Sequence, residues 1–153
     1  MSKDPPPAWF RAALAQEPER SFVEAEGAWI ETLAWGEAGR PGVLLLHGKN
    51  PGGPSDPYFG SQRKKLEGEG MVVTMPDMPW SARRYVDGNW DKAMAEMAEE
   101  IKGLRGKGAT KIVLAGHSMG CPAALSYAAR HGGVDAVALL APGHVPYYYF
   151  TSP

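Results

Sequence analysis

The chain has 153 residues and a mass of 16.5 kDa, which suits one domain and leaves no room for two. Its composition, 44% hydrophobic and 22% charged, is typical of a soluble globular protein rather than a disordered one. The net charge of −1 offers no footprint for nucleic acid or an anionic membrane, and the single cysteine excludes an internal disulfide and a cysteine-rich zinc site.

The N-terminal end opens on Met-Ser-Lys-Asp and three prolines, without the charged and then apolar plan of a secretory signal. We interpret residues 1–20 as a loosely docked arm that precedes a single domain over 21–153. No apolar run in the sequence is long enough to cross a bilayer. We therefore expect a cytoplasmic protein that binds no membrane, nucleic acid, metal or cofactor.

The predicted elements begin with a β-hairpin, because 21–25 and 29–35 carry apolar residues on either side of Gly27. Residues 42–48 form a continuous apolar run bounded by glycines, which is typical of a strand buried on both faces. Further along the chain, strands are predicted at 71–75, 111–115 and 134–140, and helices at 58–69, 91–104 and 119–130. Strands that alternate with helices indicate an α/β fold, a three-layer sandwich with a mostly parallel central sheet.

The strongest local motif is a G-x-S-x-G between a predicted strand and a predicted helix, Gly116-His117-Ser118-Met119-Gly120. A serine on such a sharp turn adopts strained backbone angles and projects its hydroxyl above the sheet, while the residues two before and two after it must be small. The turn also directs the backbone N–H of Met119 toward the place where negative charge develops in acyl transfer. The alternative is a glycine-rich turn whose serine only caps the helix.

A second motif closes the strand at 42–48 and continues as a glycine-rich loop, His47-Gly48-Lys49-Asn50. In a serine hydrolase the second donor of the oxyanion hole arises in such a loop, and here it would be the backbone N–H of Lys49 or, less favoured, of Asn50. We interpret His47 as a structural residue that hydrogen-bonds this loop. A phosphate-binding loop is not indicated, because no G-x-x-x-x-G-K-[ST] pattern is present.

Together these motifs resemble the α/β-hydrolase fold family, in the family's order along the chain from about Trp29 to His144. The sequence is most similar to bacterial esterase-like members, with an Ala-Pro-Gly-His stretch at the end of its last strand. The resemblance implies that Ser118 is the nucleophile of a serine hydrolase that cleaves a carboxylic ester through an acyl-enzyme. It also implies that Lys49 and Met119 form the oxyanion hole through their backbones. Acyl transfer to an alcohol uses the same nucleophile and stays an open alternative.

The acid and the base of the catalytic triad depart from the family's pattern. In the family an acid and then a histidine follow the nucleophile, whereas this chain ends at Pro153 and has no acidic residue after Asp135. Asp135 starts a strand at the opposite end of the sheet, so it is a poor candidate for the acid. His144 is the candidate base, although an exposed turn residue is the plainer interpretation. The fold is expected to lack its last strands, so the chain is a fragment, a form completed by a partner, or an enzyme with a makeshift base.

Further residues are expected near the nucleophile. Asn50, His117 and Trp80 are predicted to contact the substrate, with the His117 side chain pointing away from the Ser118 hydroxyl. Asp77 lies at the same edge of the sheet and either orients a histidine or is a structural turn residue. Four residues either wall a site for an acyl or aryl group or belong to the core: Pro79, Trp80, Tyr85 and Trp90.

The strand predicted at 134–140 would form an open, apolar edge of the sheet, and four aromatic residues follow at 147–150. Such an edge favours pairing with another chain. We therefore predict a homo-oligomer, or a complementing chain, through this strand. If the catalytic machinery is incomplete, the alternative function is a hydrolase-like module that binds a small ligand or a protein partner.

Overall fold

The computed structural model describes residues 19–25, 28–35, 40–49, 57–84 and 88–143. These residues contain six strands and three helices, in chain order β1 (Glu19–Ala25), β2 (Ala28–Trp35), β3 (Gly42–Leu46), α1 (Pro57–Gly68), β4 (Val72–Pro76), α2 (Trp90–Gly106), β5 (Ile112–Ser118), α3 (Gly120–His131) and β6 (Ala136–Pro142). After the hairpin, each helix connects two strands, as the apolar runs and helical spacing predict.

The six strands form one sheet in the order β1-β2-β4-β3-β5-β6. β1 and β2 form an antiparallel hairpin and β2 runs antiparallel to β4, whereas β4, β3, β5 and β6 are parallel. The carboxyl ends of the four parallel strands therefore meet at one edge, where ligands bind in open α/β sheets. The predicted α/β fold with a mostly parallel sheet is confirmed.

Side chains of the central strands divide between two cores, because successive residues of a strand face opposite ways. Leu44 and Leu46 of β3 pack with α2 and α3 on one face of the sheet. Val43 and Leu45 face the other core, which is packed against Leu66 of α1. This three-layer arrangement buries both faces of β3 and explains why its sequence is apolar throughout rather than alternating.

β6 forms an edge of the sheet within the described part of the chain, where β5 is its one neighbouring strand. Its sequence is as apolar as those of the buried strands, yet most of its residues are exposed, and the side chain of Leu139 is 38% exposed. An edge of this kind presents apolar side chains and free peptide groups to solvent. The pairing of this edge with another chain stays a prediction.

The observed boundaries differ from the predicted ones by a few residues. β1 begins two residues before the predicted hairpin, β5 continues through Ser118, and β6 ends at Pro142. Most of the predicted arm over 1–20, and the aromatic residues at 147–150, lie outside the described residues. In the part of the chain that is described, no helix has the length and apolar character needed to span a membrane.

Candidate active site

The last residue of β5, Ser118, has a left-handed backbone conformation with φ of 49°. This conformation costs a residue with a Cβ about 1–2 kcal/mol, so its surroundings must hold it in place. One restraint comes from Gly143, which follows β6 and donates its N–H to the carbonyl oxygen of Ser118 at 3.1 Å. The strained serine at the carboxyl edge of the sheet matches the geometry that the G-x-S-x-G motif predicts.

The two glycines of the motif lie where no side chain fits. A Cβ on Gly116 would overlap the carbonyl group of Gly120 and lie 2.6 Å from the backbone nitrogen of Cys121. A Cβ on Gly120 would overlap the carbonyl oxygen of Leu46 and lie 2.7 Å from its carbonyl carbon. The prediction that both residues must be small is confirmed, but only Gly116 is limited by the turn itself. Gly120 is limited by the neighbouring strand β3.

α3 begins at Gly120, directly after Ser118 and Met119, and the side chain of Met119 makes no capping hydrogen bond. Met119 already has helical backbone angles, with φ of −60° and ψ of −29°, whereas Ser118 has a positive φ. A capping role for the Ser118 hydroxyl stays the alternative to a catalytic one. Beneath the turn, the thiol of Cys121 donates to the carbonyl oxygen of Gly116 at 3.0 Å, and burial raises its pKa. A thiol held protonated in this way is a packing residue and not a second nucleophile.

The loop after β3 passes directly beside the serine. His47 is buried; its Nδ1 donates to the carbonyl oxygen of Gly48 at 2.6 Å, and its Nε2 accepts from the N–H of Met78 at 3.1 Å. The structural role predicted for His47 is confirmed. A Cβ on Gly48 would lie 3.2 Å from Cβ of Ser118, which shows how close the two backbones are. Lys49 follows with an exposed side chain, and Asn50 lies outside the described residues.

A cavity of about 220 Å³ lies next to this loop and the start of α3. Its lining comes from the loops after β3, β4 and β5 and from the first turn of α2: Lys49, Pro79, Trp80, Gly88, Asn89, Trp90, Ala93 and Met119. Three of the four residues predicted as an apolar wall thus come together here, while Tyr85 lies outside the described residues. Trp80 is fixed by a hydrogen bond of 2.7 Å from its Nε1 to the carbonyl oxygen of His47.

Charged residues fix the turn that follows β4. Asp77 forms an ion pair with Arg83, with 3.0 Å between Oδ2 and Nη2. The guanidinium of Arg84 donates to the backbone carbonyl of Asp77 and makes two hydrogen bonds to the Glu96 carboxylate, of 3.0 and 2.5 Å. Glu96 has no exposed surface. The ion pair engages one carboxylate oxygen of Asp77, while its Oδ1 is buried without a hydrogen-bond partner among the described residues, so both predicted interpretations of Asp77 stay open.

Three further residues were considered from the sequence, His117, His144 and Asp135. His117 is half-buried in β5, and a Cβ on Gly48 would lie 3.2 Å from its Nδ1, so its ring borders the same loop. His144 lies outside the described residues and directly follows Gly143 in the sequence. Asp135 accepts from the N–H of Ile112 at 2.9 Å, at the amino end of β5. That hydrogen bond, assisted by Lys111, lowers the Asp135 pKa. Asp135 is therefore remote from the serine, as predicted.

Comparison with known proteins identifies the fold. No protein-family model and no curated protein sequence matches the chain. Among solved structures, a putative hydrolase from Agrobacterium vitis S4 aligns with a TM-score of 0.69 and 19% identity, over 84% of this chain and 54% of that one. A cold-adapted esterase from an Arctic intertidal metagenomic library aligns with a TM-score of 0.66 and 21% identity, over 80% and 59%.

The thioesterase domain from the curacin biosynthetic pathway gives a TM-score of 0.66 and 25% identity, over 81% of this chain and 46% of that domain. The chain therefore spans about half the length of these structures. At such identities the likeness establishes the shared arrangement of strands and helices.

Proposed function

Because this chain has the α/β-hydrolase fold, we propose that it is a serine hydrolase that cleaves a carboxylic ester with Ser118 as nucleophile. The observation that carries the proposal is the positive φ of Ser118, held between two glycines that admit no side chain. Backbone strain of this kind costs stability and is typically stored where it positions a reacting group. The esterase and the thioesterase domain among the structural matches support acyl chemistry, while an epoxide hydrolase at 26% identity shows that the same fold also carries another hydrolytic reaction.

In the proposed reaction, Oγ of Ser118 attacks the acyl carbonyl carbon, and the serine proton leaves to a general base. The backbone N–H groups of Lys49 and Met119 stabilise the oxyanion that forms. The C–O bond to the alcohol then breaks, the alcohol takes up the proton, and an acyl-serine ester is left. Attack by water on that ester, with the same transfer of a proton, releases the acid and restores the serine.

The general base proposed within this chain is His144. His144 lies outside the described residues, and what supports the proposal is its neighbour in the sequence, Gly143, which donates its N–H to the carbonyl oxygen of Ser118 at 3.1 Å. His47 is excluded as the base because both of its ring nitrogens are engaged with the loop after β3 and with Met78. Serine needs such a base to react near neutral pH.

A fluorophosphonate probe tests the proposal, since it phosphonylates an activated serine with loss of fluoride. We expect stoichiometric labelling of the purified chain, no labelling of Ser118→Ala, and unchanged labelling of Ser126→Ala, a matched serine within α3. Slow labelling of His144→Ala would identify the base. If the folded chain, checked by circular dichroism, is not labelled, the hydrolase proposal fails and a binding module is left. An added alcohol separates hydrolysis from acyl transfer through the ester product.

A further inference from the structure

The cavity beside Met119 measures about 220 Å³ and is lined by two tryptophans, Trp80 and Trp90. Ester cleavage at Ser118 does not by itself require a cavity of this size or with these walls. We propose that this cavity is the acyl-binding site and that it takes an acyl group containing one aromatic ring, such as benzoyl or phenylacetyl. The inference rests on the proposed function, because it assigns the two halves of the ester relative to Ser118. It adds the substrate class, which neither the serine nor the fold specifies.

The cavity lies beside the proposed oxyanion hole. Both proposed oxyanion donors, Lys49 and Met119, belong to its lining. A carbonyl oxygen bound between their N–H groups places the carbonyl carbon beside Ser118 and one of its two substituents beside the cavity, and in the proposal that substituent is the acyl group. The alcohol half then leaves on the other side of the serine. Selectivity should therefore follow the acyl group much more than the alcohol.

The size of the cavity sets the length of that group. It measures about 220 Å³, while an apolar protein cavity of ~150 Å³ is known to hold one benzene molecule. One ring with a short link therefore fits and leaves little volume to spare. Ala93 contributes to this limit, because it is buried at the first turn of α2 with only a methyl group facing its surroundings.

The walls of the cavity favour an aromatic ring over a saturated one of the same size. The rings of Trp80 and Trp90 lie with centroids 6.4 Å apart and planes at 30°. Trp80 is held by its hydrogen bond to the His47 carbonyl, and Trp90 starts a helix whose N-cap, Asn89, accepts from the N–H of Lys92. The Trp80 indole is thus held by a hydrogen bond, and the Trp90 indole is partly buried against the core cluster, so a stacked or edge-on ring gains contact with little ordering of the protein.

The test compares p-nitrophenyl esters of benzoate, cyclohexanecarboxylate, 1-naphthoate and octanoate on the 153-residue chain. We expect kcat/KM to be about two- to twelvefold higher for benzoate than for cyclohexanecarboxylate, which corresponds to one aromatic contact. The two larger acyl groups should react about tenfold or more slowly than benzoate. Changing the alcohol at constant benzoyl should alter kcat/KM only as leaving-group acidity requires.

Variants of a cavity residue test whether the preference for benzoate over cyclohexanecarboxylate depends on the cavity. Trp90→Leu should bring the ratio of benzoate to cyclohexanecarboxylate close to one, and Trp90→Phe should restore it. Leu125→Ala, at a half-exposed position on α3, should leave it unchanged. If the chain labels with fluorophosphonate yet hydrolyses octanoate or naphthoate as fast as benzoate, the acyl assignment is wrong and the hydrolase proposal stands.

A binding measurement decides the case in which no ester is hydrolysed. Ser118→Ala is titrated with benzoate and with cyclohexanecarboxylate while the indole N–H signals are followed by NMR, with Trp90→Leu as the assignment control. Shifts of the Trp80 and Trp90 signals with benzoate, and smaller ones with its saturated analogue, support a single-ring site even without catalysis. No shift of either signal by benzoate overturns the inference.

Discussion

Replacing Glu67 by glutamine should stabilise the protein above neutral pH and leave its stability at acidic pH unchanged. Glu67 lies near the end of α1 with a side chain only 3% exposed. Burial raises its pKa from 4.5 to about 7, against the opposing effect of Arg63 and Lys64. Among the described residues, no hydrogen-bond donor satisfies its Oε1, although Nη1 of Arg63 lies 3.5 Å away.

The magnitude follows from the interval over which the folded and unfolded chains bind different numbers of protons. Between pH 4.5 and pH 7 the folded protein keeps the Glu67 proton while the unfolded chain has lost it. Stability therefore falls as pH rises through this interval, by about 1.4 kcal/mol per pH unit. The accumulated loss is roughly 3 kcal/mol at and above pH 7. A neutral amide of the same shape avoids that loss.

Urea unfolding followed by circular dichroism, at about pH 4.5 and about pH 8, measures the effect. We expect Glu67→Gln to match the parent chain at the lower pH and to exceed it by roughly 1–3 kcal/mol at the higher pH. Glu69→Gln, which alters an exposed carboxylate two residues further on, should show no such difference. If the gain from Glu67→Gln is equal at both pH values, burial of this carboxyl does not couple folding to proton binding and the reasoning is refuted.

Other substitutions test the remaining contacts by chemical denaturation. Gly120→Ala should destabilise the chain by about 1–3 kcal/mol or more, because its Cβ would overlap the backbone of β3. Gly103→Ala, with open space around it in α2, should stabilise the chain by about 0.5–1 kcal/mol. Equal effects of the two substitutions would contradict the clash assigned to Gly120. Arg84→Met should cost about 3–5 kcal/mol by leaving the Glu96 carboxylate buried and unpaired, and adding Glu96→Leu should recover most of it. Ser118→Gly should raise stability by about 1–2 kcal/mol because glycine adopts the positive φ without strain, while Ser118→Ala should give no such gain.

The sequence was sufficient for the parts of the fold that depend on local pattern. β3 to β6 were predictable because each is a continuous apolar run bounded by turn residues, and α2 because its buried residues recur at helical spacing. The extension of β5 to Ser118 was missed, because residues 116 and 117 still pair with β6 while a glycine in the motif indicates a turn.

The parts of the candidate site that consist of one continuous segment could be predicted from the sequence. The parts formed by contacts between segments distant in the sequence could not. The turn at Ser118 depends on neighbouring residues, so its motif identified it. The overlap between Gly120 and Leu46 joins positions more than seventy residues apart, and no local pattern encodes it. The same holds for the cavity, whose lining comes from four separate segments. Sequence alone could not decide whether its tryptophans were wall or core, and Trp80 in fact serves both, because it belongs to the core cluster and lines the cavity.

The hydrogen bond from Trp80 to His47 has a consequence for how this scaffold could evolve. Trp80 lines the cavity, and the residue it bonds holds the loop that carries Lys49. A replacement of Trp80 would change the shape of the cavity and also remove the hydrogen bond to the residue that holds the loop. A wider range of accepted substrates would therefore be accompanied by slower ester cleavage. Among the described residues, the ring of Trp90 makes no such hydrogen bond to the loop, and Ala93 contributes only a methyl group. Directed evolution toward new substrates should therefore accumulate changes at these two positions and retain Trp80.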